Sequence, residues 1–142
     1  MTNAKLSPKI GDVYFMRFDG NGSEQTGWRP GLVFQNNRGN LYSPNIIALP
    51  LTSCLKKAGQ PTHVIVLAAE TGLPKDSMVL CENPRCMSKE KIGKYITTLP
   101  SSIMAQVAAA SLIASSAISY LELDELCELW RLARSMNAGT PA

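Results

Sequence analysis

The chain has 142 residues, 45% of them hydrophobic and 18% charged, and its formal net charge is +3. This is the length of one globular domain with a single core, and the net charge is too small to identify a nucleic-acid partner by itself. The four cysteines and the single histidine, His63, follow no zinc-binding spacing, so we expect reduced thiols, no metal site and no cofactor. The first ten residues lack the apolar core of a secretory signal, which favours a cytoplasmic protein.

Six short segments rich in β-branched, aromatic or other apolar residues are predicted to be strands. Pro50 falls inside the third, which predicts an edge strand or a bulge there. Residues 85–91 are predicted to be a short turn or helical piece. The predicted strands cover residues 14–18, 32–35, 45–51, 62–68, 77–82 and 95–98.

The remainder of the chain is predicted to be helical. The hydroxyls of Ser101 and Ser102 are candidate caps for a helix rich in alanine and serine that runs to about Leu121, and a second helix covers residues 124–136. Residues 95–121 carry no charge, but their many serines and Pro100 favour a packing helix over a membrane span. Strands followed by helices predict an α+β fold with a small, strongly bent antiparallel sheet or barrel.

A loop with two glycines, a carboxylate, an amide and an arginine is predicted to lead into the second strand. Its sequence is GSEQTGWRP (22–30), followed by LVFQNN (32–37). Loops at the mouth of a rigid sheet often carry chemistry, although a solvated hairpin loop would have a similar composition. Further short motifs are GDVYF (11–15), SP (43–44), LPLTS (49–53), PTHV (61–64), DSMVLCENPR (76–85) and KEKIGKYITTL (89–99).

In this order and nearly this spacing, the motifs resemble those of the PemK/MazF group of toxin endoribonucleases over about residues 10–120. The resemblance implies an SH3-like barrel with a C-terminal helix. It implies metal-independent cleavage of single-stranded RNA, leaving 2′,3′-cyclic phosphate and 5′-hydroxyl ends. It also implies a homodimer and a MazE-type antitoxin as partner. Two alternatives remain: a gyrase-poisoning toxin of the same fold, and an inactive relative that binds nucleic acid or antitoxin as a regulator.

Two residues match the catalytic positions of that family. Arg29, in the G-x-R-P element, would stabilise phosphate charge through its planar fork of donors. Thr52 closes an apolar strand and would position the phosphate, although strand-end threonines commonly bond local backbone. Because a hydroxyl is a poor base unaided, the general base is not identified.

Eight further residues are predicted to contact RNA, each with an ordinary structural alternative. Phe18 and Trp28 offer aromatic faces on which bases stack, although for Phe18 a core position is equally expected. A Glu82-centred mechanism is disfavoured, because relatives that use one carry an arginine where this chain has Leu80. We expect His63 to be structural or on the surface. The eight are Phe18, Ser23, Glu24, Gln25, Trp28, Glu82, Asn83 and Arg85.

The C-terminus has no counterpart in the family, so we divide the chain into a toxin domain, residues 1–121, and a helical extension with a loose tail, residues 122–142. The extension mixes acidic residues with bulky apolar ones, as an antitoxin tail does. One hypothesis is that it folds near the RNA groove and restrains cleavage. The favoured alternative is a helix that pads the barrel or the dimer.

Overall fold

The structure is a computed structural model that describes residues 7–20, 26–56 and 58–138. In these ranges the chain forms seven strands and four α-helices, with 3₁₀ turns at Lys89–Lys91 and Ala117–Tyr120. The strands are β1 (Asp12–Phe18), β2 (Gly27–Val33), β3 (Asn45–Thr52), β4 (His63–Val66), β5 (Ser77–Leu80), β6 (Arg85–Ser88) and β7 (Ile92–Thr98). The helices are α1 (Asn37–Tyr42), α2 (Ala68–Thr71), α3 (Ser101–Ser115) and α4 (Leu123–Asn137).

All the strands belong to one bent antiparallel sheet. Its order is β4-β5-β3-β2-β1-β7, and β6 pairs with β3 on the side where β5 also pairs. The predicted α+β class and the strongly bent antiparallel sheet are confirmed. The sheet does not close, so it forms only a partial barrel. Strand β3 exchanges partners partway along its length, pairing with β6 over its first half and with β5 at its end.

Both faces of the sheet are buried, since side chains alternate between the faces along each strand. One face forms a core with α3, whose Val107 and Ala110 are buried against it. The opposite face encloses a second core inside the bend. The first core includes Val13, Leu32, Leu49, Leu51, Val66 and Val79. The second includes Tyr14, Met16, Phe18, Val33, Ile46 and Met87.

Three sequence-based assignments are corrected by the pairing. Strand β2 begins at Gly27 rather than Leu32, because β1 pairs with it as far as Phe18 opposite Gly27. Strand β3 lies inside the sheet rather than at its edge, while the irregularity expected at Pro50 agrees with the change of register there between β6 and β5. Residues 85–88 are strand β6, whereas residues 89–91 form a single 3₁₀ turn, so only the first part of this segment differs from the expected turn or helical piece. In each case, contacts between strands override local propensity.

The predicted helix to Leu121 ends early. Helix α3 stops at Ser115 because Ser116 adopts a left-handed backbone conformation, with φ of 56°, and a 3₁₀ turn follows. Only one side of α3 packs on the sheet, and Leu112 and Ile113 are exposed. Within the described ranges, no helix has the length and apolar character needed to cross a membrane.

Helix α4 is folded back onto α1. Its first turn is closed by a capping box between Glu122 and Glu125, and at its last turn Asn137 Oδ1 accepts a hydrogen bond from the Asn37 backbone N–H at 2.8 Å. Asn37 follows the C-terminal end of β2. Because Arg29 lies near the start of β2, the two ends are separated by roughly 20 Å of extended chain. This contact therefore places the C-terminal end of α4 away from Arg29, and the hypothesis that the extension restrains cleavage stays a prediction.

Candidate active site

Arg29 lies in β2, and its guanidinium is held by backbone carbonyls. Nε and Nη2 donate to the Thr26 carbonyl at 3.2 and 3.1 Å, and Nη1 makes a long contact of 3.5 Å to the Leu51 carbonyl. Partial burial lowers the pKa of Arg29, and the nearby charge of Arg85 lowers it further. Burial removes part of the solvation of the Arg29 cation, and Arg85 repels it as a like charge, so an anion binding beside Arg29 would be favoured.

Thr52 is brought beside Arg29 by the pairing of β2 with β3. The register sets Gly31 opposite Pro50 and Leu32 opposite Leu49. If this register is extended by two residues beyond the Gly31–Pro50 pair, Arg29 lies opposite Thr52. Directly opposed side chains share one face of a sheet. The Thr52 hydroxyl oxygen accepts a bond from the Cys54 backbone N–H at 3.1 Å. The hydroxyl proton can therefore be donated elsewhere, including to a phosphate oxygen.

Arg85 adds a second cation on this face of the sheet. Its guanidinium carbon lies 5.7 Å from the centre of the Phe18 ring, and its Nη1 donates to the Asp19 carbonyl at 2.6 Å. Phe18 is only 2% exposed, so the structure gives it the core role. Base stacking on Phe18, as the sequence suggested, would require Arg85 to move away from the ring.

Asp19 links this region to further cations that the sequence reasoning missed. Lys91 donates to its carboxylate, and Arg17 Nε lies 3.8 Å from the same group. The hydrogen bond from Lys91 is the main reason that the pKa of Asp19 is lowered. The charges of Lys91, Arg17 and Arg85 all act on this carboxylate, and Arg29 lies near Arg85, so the region is rich in cations. Such a patch favours a polyanionic ligand.

Trp28 is 60% exposed but belongs to the other face of β2. It neighbours Arg29 in the strand, and neighbouring side chains point to opposite faces. Its ring packs on Gly93 of β7, where an added Cβ would lie 2.9 Å from Cζ3 of the indole. The structure therefore supplies an exposed aromatic surface, but it does not bring that surface together with Arg29 and Thr52.

Glu82 and Asn83 lie in the turn after β5, which is the strand beside Thr52. Glu82 Oε2 is 2.6 Å from Nε2 of His63, whose side chain is 6% exposed. The structure thus makes His63 a mostly buried partner of Glu82. Nineteen residues separate the two in sequence, and only the pairing of His63 with Leu80 across β4 and β5 brings them together.

The remaining predicted contacts lie outside the described residues. Ser23, Glu24 and Gln25 belong to residues 21–25, so their assignment to RNA binding stays a prediction. Across the part of the chain that is described, no group of three or more histidine, cysteine, aspartate or glutamate side chains is placed to hold a metal ion. The four cysteines are free thiols, and burial raises the pKa of Cys81 to about 11.

Two neighbouring arginines near a strand-end hydroxyl on a bent sheet are groups that can bind phosphate. Comparison with known proteins agrees with this chemistry. Residues 9–113 match the family described as PemK-like, MazF-like toxins of type II toxin–antitoxin systems. Endoribonuclease EndoA of Bacillus subtilis (strain 168) is 40% identical over 113 residues, 79% of this chain and 97% of that protein. Endoribonuclease MazF of Staphylococcus epidermidis is 40% identical over 98 residues, 68% of this chain and 82% of that protein.

Solved structures give the same fold. MazF from Deinococcus radiodurans aligns with a TM-score of 0.69 at 24% identity, over 79% of this chain and 99% of that one. A mycobacterial endoribonuclease in complex with its cognate antitoxin aligns with a TM-score of 0.64 at 24% identity, over 78% of this chain and 96% of that one. The chain therefore belongs to the PemK/MazF family of toxins.

Proposed function

We propose that this toxin is an endoribonuclease that cleaves single-stranded RNA at the Arg29–Thr52 site without a metal ion. Endoribonuclease activity follows from family membership and from the two relatives of that name. The observation that supports the particular site is the placement of Arg29 on the carbonyl of Leu51, directly before Thr52, with Arg85 nearby. We also expect the protein to be located in the cytoplasm.

The proposed reaction needs no water nucleophile. The RNA 2′-hydroxyl gives its proton to a water molecule and attacks the adjacent phosphorus, so that the O2′–P bond forms while the P–O5′ bond breaks. The products are a 2′,3′-cyclic phosphate and a 5′-oxygen that takes up a proton. Negative charge grows on the phosphate oxygens in the transition state, and preorganised donors aimed at that charge are a strong source of catalysis.

Each residue then has a stated role. Arg29 binds the developing charge with a cation that is already partly desolvated. Thr52 donates a hydrogen bond from its hydroxyl to a phosphate oxygen and keeps that group in line. Arg85 and Lys91 attract the RNA backbone, and the exposed ring of Trp28 stacks a base beyond the cleavage site. Glu82, Asn83 and the segment with Ser23, Glu24 and Gln25 would contact flanking bases.

Two protein partners complete the proposal. A second copy of the chain would form a homodimer whose groove holds several nucleotides, which one small sheet is too narrow to do. A MazE-type antitoxin would occupy the same groove. Support for the antitoxin comes from the MazE–MazF complexes of Deinococcus radiodurans and the mycobacterial toxin–antitoxin complex among the structures of this fold.

The decisive experiment is incubation of the purified chain with a mixed-sequence RNA in EDTA, followed by mapping of the cut ends. Cleavage with cyclic phosphate and 5′-hydroxyl ends is expected. Loss of cleavage in EDTA with recovery in Mg²⁺ would refute the metal-independent reaction. No cleavage under either condition would point instead to an inactive binding protein, and inhibition of DNA gyrase by that inactive protein would point to the gyrase-poisoning alternative.

A further inference from the structure

Helix α4 presents an apolar stripe that no other part of the described ranges covers. Leu123, Cys127 and Trp130 are spaced four and three residues apart, which places them along one side of the helix. We call these three residues the α4 stripe. Leu123 is 83% exposed and Trp130 is 59% exposed, and Cys127 is exposed as well. A bulky indole and a leucine in this position are unusual for a helix that faces only water.

The stripe lies on a helix that is fixed to the body of the protein. The contact of Asn137 with α1 ties the C-terminal end of α4 to the body, and the capping box stabilises the first turn of the helix itself. The guanidinium of Arg134 also covers one side of the Trp130 ring at 4.5 Å, which limits the motion of the indole. Since the family match ends at residue 113, the stripe is an addition to the toxin domain rather than part of its shared surface.

Charges beside the stripe indicate which partner it fits. Asp124 and Glu128 lie in the first half of α4 and Arg131 in the second, and helical periodicity places all three on the same flank of the stripe. Among the described residues, no ion pair engages any of the three. The flank therefore carries an acidic half and a basic half that are complementary to a reversed copy of themselves.

An antiparallel pair of α4 helices uses this complementarity. Two-fold symmetry brings the same flank of both helices together, with the first half of one beside the second half of the other. Asp124 and Glu128 of each copy then lie next to Arg131 of the other. The stripes face each other, with Cys127 of one opposite Trp130 of the other. A parallel pair related by a two-fold axis would turn this flank to opposite sides of the two helices, so its acidic and basic halves would not meet, and its helix dipoles would also repel.

We propose that the α4 stripe is a docking surface for the α4 stripe of a second copy of this chain, in antiparallel orientation. A helix of this length spans only about 22 Å, so the contact is smaller than a standard interface. It therefore adds a weak, concentration-dependent association, in which two of the assemblies formed by the toxin domain join through their α4 stripes. We call this association the doubling step. This step is independent of the proposed cleavage reaction.

Sedimentation velocity of the full chain over a wide concentration range tests the surface. Trp130→Glu places a charge at the centre of the stripe and should raise the Kd of the doubling step at least about 30-fold, as expected for loss of a central tryptophan. Leu132→Glu is the matched control, because Leu132 is 57% exposed but lies on the opposite side of α4. No doubling by the parent chain, or equal Kd values for both variants and the parent, would overturn the proposal.

A charge exchange tests the orientation. Arg131→Glu should weaken doubling, and adding Asp124→Arg to the same chain should restore it, because the two positions meet across the antiparallel pair. Circular dichroism verifies that each variant keeps its helix content. If the double variant doubles no better than Arg131→Glu alone, the antiparallel pairing is wrong.

Discussion

Replacement of Arg29 by alanine is the sharpest test of the active site. The substitution removes the cation that lies against the Leu51 carbonyl beside Thr52. Loss of one transition-state donor of this kind typically lowers the rate 10²–10³-fold, roughly 3–4 kcal/mol. Arg85 remains to attract the phosphate backbone, so we expect kcat to fall much more than KM rises. Rates are measured with a short RNA carrying one cleavage site.

The fold should tolerate this change. Arg29 bonds the carbonyls of Thr26 and Leu51, and a hydrogen bond of this kind contributes about 1 kcal/mol net to stability. A small domain with about 5–15 kcal/mol of stability withstands that loss. Arg38→Ala is the matched control, since Arg38 is an exposed arginine on α1 and its loss changes the net charge equally. A folded Arg29→Ala protein that cleaves within about threefold of the Arg38→Ala rate would refute the assignment of Arg29, because it retains far more activity than a missing donor allows.

Three other predictions follow from local contacts. Thr52→Val keeps the side-chain shape but removes the donated proton, so turnover should fall more than RNA affinity; equal losses would make Thr52 a binding residue. Gly31→Ala places a Cβ 2.6 Å from Met16 Sδ and 2.8 Å from Phe18 Cζ. Urea titration should therefore show an unfolding free energy lower by about 1–3 kcal/mol. Unchanged stability would mean that the Met16 and Phe18 side chains move aside without cost. Burial raises the pKa of Tyr14 to about 12, so stability present below pH 10 should fall as pH rises toward 12. Tyr14→Phe should lack that part of the pH dependence.

Local sequence was a good guide to strands with uniform apolar composition and a poor one to strands containing glycine and proline. Residues 45–51 were predicted almost to their observed bounds, whereas the first five residues of β2 were taken for a loop. Gly27 and Pro30 lower the strand propensity of that segment. It is extended because β1 pairs along its whole length, and Pro30 precedes Gly31, where pairing with β3 begins, so its missing N–H is tolerated.

The order of short motifs led to Arg29 and Thr52, but it could not define their surroundings. Asp19 with Lys91, and His63 with Glu82, join residues that are far apart in sequence and carry no motif of their own. Such pairs depend on the register of neighbouring strands, and a shift of one residue would send every side chain to the other face.

The sequence by itself determined the family, the α+β class and the two residues expected to perform the chemistry, because these depend on ordered motifs and on apolar content. The tertiary structure decided that Phe18 is core, that Trp28 faces away from Arg29, and that α4 lies on α1 with its apolar stripe outward. The physical reason is that side-chain orientation follows from strand pairing and helix docking. Both are set by contacts between segments that are distant along the chain.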